Sequence, residues 1–122
     1  DAKQRDAFAR GGAEATVRAG LRGVYKVLFQ LLMNPKRYAS RAQSLWERYY
    51  DAGVMEKTVK SPTYHHTVIR AWSSHHPLLC EINAHSAQII YEELGCKQVK
   101  VERTGCVSRG DRACTQDITW VE

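Results

Sequence analysis

The feature that most constrains this chain is a helix bounded by Pro77 and Gly95, followed by two strands, with cysteines at 80, 106 and 114. Proline suits the first helical position and glycine the position just past the last. The chain after Gly95 has to run back along the helix. A helix rises about 1.5 Å per residue and a strand about 3.3 Å, so Cys106 can return to the helix's N-terminal end, near Cys80. Cys106 and Cys114 are equidistant from Gly110, so a hairpin centred there sets them opposite each other with Cβ atoms roughly 5 Å apart. The fourth cysteine, Cys96, lies past the other end of the helix, roughly 24 Å from Cys80 by the helical rise. Alternation in the last strand puts Cys114, Gln116, Ile118 and Trp120 on one face. In the strand before it, Val99 and Val101 share a face that Cys106 would miss. A one-residue bulge near Gly105 restores Cys106 to the core side.

Upstream, the apolar periodicity is helical. Gly11 and Gly12 weaken any continuous helix over the first dozen residues. From Ala13 to Met33 a stripe of Val17, Leu21, Val24, Leu28 and Leu31 predicts a helix, with Tyr25 and Phe29 widening it. Asn34-Pro35 supplies an N-cap and a first position for a second helix over Pro35 to Ala52, ended by Gly53. Its stripe is Tyr38, Ala42, Leu45 and Tyr49, with Trp46 beside it. Two long helices joined by so short a turn are expected to pack antiparallel. Residues 54–60 and 64–72 read as strands about a Ser61-Pro62-Thr63 turn. The order is helix, helix, hairpin, helix, hairpin. It predicts an α+β fold with a four-stranded antiparallel sheet covered by helices on one face.

Composition bounds the function classes. A chain of 122 residues with 43% hydrophobic content is long enough for one domain with a real core. It opens on Asp1, which suggests a fragment of something longer. No apolar run approaches the ~20 residues needed to span a bilayer. Four cysteines are sparse for a secreted disulfide framework, which favours a reducing, cytoplasmic setting. The net charge of +5 is concentrated in residues 1–50. There Arg18, Arg22 and Lys26 form a line at i, i+4, i+8, so a nucleic-acid surface stands beside the plainer reading of a solvated helix face.

Three convergent thiols suit a soft metal, and a tetrahedral structural site wants a fourth ligand. Candidates are Glu102, Asp111, Glu81, His75 and His76. Glu102 lies about 13 Å from Cys106 along an extended strand and reaches it only if the segment folds back. The alternatives are three buried thiols or a Cys106–Cys114 redox disulfide. Cys80, in the first turn of its helix, is placed for a lowered pKa, and a Cys–His nucleophile would need His75 or His76 within reach. No phosphate loop and no paired carboxylates stand out.

The span WSSHHPLLCEINAHSAQIIYEELGC, followed by VKVERTGCVSRGDRAC and a later Trp, resembles the 4-vinyl-reductase-type ligand-binding domain, a haem-NO-binding-like group of small-molecule-binding domains. With RAGLRGVYKVLFQLLMNPKRYASRAQSLWERYYDAG added, it is similar to a myxobacterial paralogous family of unassigned function. The resemblance implies an α+β fold, a small-molecule or lipid pocket between helices and sheet, and dimerisation. In aromatic-sensing relatives a zinc is held by three cysteines and a glutamate. The cysteines fall on Cys80, Cys106 and Cys114; the glutamate falls on Arg103, with Glu102 adjacent. The expectation is a non-enzymatic regulatory or sensory module with a zinc-type cysteine cluster. It would bind a small hydrophobic molecule against Tyr25, Phe29, Trp46, Tyr49 and Trp72. The alternatives are a protein-interaction or dimerisation platform, and nucleic-acid binding through the basic helices.

Overall fold

The computed structural model describes residues 1–20, 29, 32–49, 52–71 and 76–122. The first element, α1 (Ala2–Gly20), runs unbroken through Gly11 and Gly12, where the sequence argued against a continuous helix. The reason is packing. Ala9 and Ala13 are fully buried and Val17 nearly so, at i, i+4, i+8, and Gly12 lies within van der Waals range of Ile82. A stripe of small residues lets two helices approach closely, and that contact offsets the propensity cost of about 1 kcal/mol per glycine. The partner is the long helix α4 (Pro77–Glu93), to which α1 is also tied by Arg5–Glu81 and Asp6–His85. Of the predicted stripe on the first helix, Val17 is buried as expected; Leu21, Val24, Leu28 and Leu31 lie outside the described residues.

The second helix is present in two pieces, α2 (Pro35–Ser40) and α3 (Ala42–Tyr49). Asn34 caps α2 as read from the sequence, its side chain accepting from the Arg37 amide at 2.8 Å. The break has a local cause. The Ser40 hydroxyl donates back to the Arg37 carbonyl, and the Arg41 amide bonds to the Tyr38 carbonyl, three residues back, instead of continuing the α-helical ladder. Despite the break, Tyr38, Ala42 and Trp46 keep the buried stripe.

Strands β1 (Val54–Ser61), β2 (Tyr64–Arg70), β3 (Lys97–Gly105) and β4 (Cys114–Val121) form one antiparallel sheet in the order β1-β2-β4-β3. The class is α+β, as the periodicity predicted. The second hairpin inserts with β4 inward, against β2, leaving β1 and β3 as the edges. Register fixes what faces the helices: Ile69 pairs with Cys114, Thr67 with Gln116 and His65 with Ile118. All six of these side chains are buried. Two clusters fill the interior. One gathers Tyr38, Ala87, Tyr91, Val99, Ile118 and Trp120. The other gathers Trp46 and Ile69 with Cys80, Cys106 and Cys114. The cysteines are therefore a core in their own right. No helix among the described residues is long and apolar enough to cross a membrane.

Candidate metal centre

Cys80 lies one turn into α4, whose start is fixed by Pro77 and by His76, the N-cap residue whose Nδ1 accepts from the Leu78 amide at 3.1 Å. At the other end Gly95, at φ +94°, adopts the left-handed conformation that turns the chain back. After an irregularity between Lys97 and Lys100, β3 runs in register against β4 until a bulge between Arg103 and Gly105, the position the alternation argument required. A side chain at Gly105 would sit 2.7 Å from the Thr115 hydroxyl, so the strands close there only around glycine. Past the bulge, Cys106 is fully buried and begins a short 3-10 turn (Val107–Arg109). Asp111 shapes this turn by accepting from the Cys106 amide at 2.8 Å.

The three sulfurs meet. Cys80 Sγ lies 3.6 Å from Cys114 Sγ, and Cys114 Sγ 3.8 Å from Cys106 Sγ. All three lie within 4.8 Å of one another. Bonds of about 2.3 Å at tetrahedral angles give S···S edges of about 3.8 Å, so two edges already have the size a zinc-type ion requires. Each sulfur is buried, and each comes from a different turn of backbone: a helix, the end of a bulged strand, and the start of β4.

The electrostatics of the three differ. Burial, then the bond to Cys114, pushes the Cys80 thiol up to about 12. Cys114 is also raised, chiefly by burial. Burial pushes Cys106 upward as well, but bonds from the Ser108 hydroxyl and backbone, with those from Cys80 and Cys114, outweigh it and bring Cys106 down to about 6. The cluster thus pairs one thiol of lowered pKa, Cys106, with two of raised pKa. The helix-terminus argument selected Cys80 for a lowered pKa, and that is overturned: desolvation outweighs the macrodipole, and the depressed thiol is Cys106.

The fourth ligand expected from the sequence is not in place. Glu102 pairs across from Asp117 on the outer face of the sheet and is exposed. The bulge comes after it and cannot turn it inward. Its neighbour Arg103 points in, pairing with Gln116, and donates from Nη2 to Cys106 Sγ at 3.2 Å. Among the other candidates, His76 uses Nδ1 as the helix cap, Asp111 serves the turn, and Glu81 is held by Arg5 at 2.9 Å on the α1 side. His75 lies outside the described residues. The cysteine set is thus three sulfurs and one guanidinium. Beside it is a cavity of about 10 Å³ bordered by Cys80, Cys114, Asn83, Arg103 and Gln116.

The expected ligand wall falls only in part on the described residues. Trp46 is 4% exposed, packs with the cysteines and donates its indole N–H to the Ala52 carbonyl. It is core. Phe29 is half-buried, Tyr49 ends α3, and Tyr25 and Trp72 lie outside the described residues. Of the basic line, Arg18 lies on α1, while Arg22 and Lys26 fall outside the described residues.

Two inward-facing features, one half-buried and one buried, went unread in the sequence. Lys57 faces the core in register with Thr67, to which its Nζ donates at 2.8 Å, and it lies 5.1 and 5.6 Å from the ring centres of Tyr91 and Tyr38. Burial lowers it to about 7. Next to it His65 bonds the Tyr91 hydroxyl through Nδ1 at 2.7 Å. The available signal was parity: both residues fall on the inward face of their strands.

No protein-family model matches this sequence, and no curated protein matches it significantly.

Proposed function

We propose that this chain is a non-enzymatic regulatory module in which Cys80, Cys106 and Cys114 hold a divalent thiophilic ion, zinc by preference, that clamps α4 to the β3–β4 hairpin. The observation that carries the reading is the convergence of three buried sulfurs from separate elements at the spacing of metal-thiolate edges. The resemblance to 4-vinyl-reductase-type domains supports the regulatory half, and dimerisation belongs with it. No disulfide joins the four cysteines, which leaves their sulfurs as thiols able to ligate a metal. Packing of Trp46 into the cysteine core weighs against it as a wall for a hydrophobic ligand and in favour of a structural role for this end of the molecule.

The test is elemental analysis of protein purified without chelator. One zinc per chain, lost in Cys114→Ser, is the expected result. Folded protein free of metal, with Cys80, Cys106 and Cys114 all recovered as thiols on denaturation and unable to take up added zinc, would refute it.

A further inference from the structure

The β3 side chain that reaches the sulfurs is a cation, and that changes what the centre can hold. Three thiolates and a divalent ion carry a net charge of −1. A fourth, anionic protein ligand would make it −2 in a buried site, which is costly without compensation. Arg103, with Nη2 at 3.2 Å from Cys106 Sγ, brings the total to zero and contributes no lone pair. The remaining space has a mixed lining, in which Ile69 and Gly105 stand beside several polar residues. The cavity of about 10 Å³ is bordered by two of the sulfurs, the Asn83 and Gln116 side chains and Arg103 itself. That volume is at the lower limit for one water molecule, and these side chains are the polar partners such a water needs.

We infer that the centre leaves one coordination position open to an exogenous oxygen ligand of the size of water, seated in the cavity between Cys80, Cys114, Asn83, Arg103 and Gln116. This rests on the metal reading above. An open position separates exchangeable, ligand-responsive zinc from the closed four-ligand kind. Arg103 already balances the charge of the three thiolates and the ion, so the class of ligand admitted is small, oxygen-donating and neutral.

Cobalt(II) substituted for zinc tests this. Sulfur-to-metal charge-transfer absorption reports whether the thiolates bind, and electron paramagnetic resonance in water enriched in oxygen-17 reports whether solvent is a ligand. The native protein is expected to show both the thiolate bands and oxygen-17 broadening. Arg103→Glu, which supplies a carboxylate in place of the cation, is expected to abolish the broadening, whereas Arg103→Gln keeps it. Should Arg103→Glu fail to fold, the native spectrum alone decides. Thiolate bands without broadening overturn the open position and leave the metal centre standing. No thiolate bands at all overturn both, so the two failures are distinguishable.

Discussion

At the scale of single residues, the inward face of the sheet carries an unusual polar row. His65 is 2% exposed, hydrogen-bonded to Tyr91 and stacked edge-on to Trp120 at 4.9 Å. Burial first, and the nearby Lys57 second, lower its pKa from 6.5 to about 4. A base whose folded pKa lies below its unfolded one binds protons preferentially when unfolded. Stability is therefore lost as pH falls from 6.5 toward 4, and between pH 6.5 and 5 the loss from this residue is about 1–2 kcal/mol. Urea unfolding at the two pH values measures it, and His65→Gln is expected to remove most of the difference. An equal slope in both proteins would place the sensitivity elsewhere. That His65 would be inside was legible from strand parity. That its pKa would fall so far was not, because that depends first on how completely the assembled core buries it and only then on Lys57.

At the scale of elements, the punctuation marks were the readable part. Asn34-Pro35, His76-Pro77 and Gly95 start and stop helices where their backbone chemistry requires, and the Gly105 bulge followed from face parity alone. What failed was propensity taken in isolation. Gly11 and Gly12 did not end α1, because its Ala9, Ala13 and Val17 stripe is buried; Ser40 broke the second helix, because its hydroxyl bonds a carbonyl of the preceding turn. The His76 cap gives a prediction that also bears on the site. Replacing it with alanine leaves the Leu78 amide without its acceptor and should cost about 1 kcal/mol in chemical unfolding. His76→Asn should recover most of this, and bound metal should stay at one per chain in both variants. Loss of metal in His76→Ala would instead make His76 the missing ligand.

At the scale of the whole molecule, the two core clusters divide the structure between them. α4 carries Cys80 near its start and Tyr91 near its end, about 16 Å along the axis, so one helix spans both cores. The convergence of sulfurs was legible because it needed only a helix length, a strand length and a turn. The ligand set was not, because His76, Asp111 and Glu81 are each engaged by partners that only the folded chain supplies. A metal joining Cys80 to Cys114 closes a loop across 34 residues of separation, and the entropy removed from the unfolded chain is worth up to about 4 kcal/mol by analogy with a covalent cross-link. Removing it should act locally before it acts globally. On adding a chelator, amides of the first turn of α4 and of the Cys106–Cys114 turn are expected to lose hydrogen-exchange protection first. The amides of Tyr91, Ile118 and Trp120, held by the aromatic cluster, should keep theirs until global unfolding. Protection falling equally at both ends would mean that the two cores act as a single cooperative unit, and unchanged protection would mean that the sulfurs hold this end together without an ion.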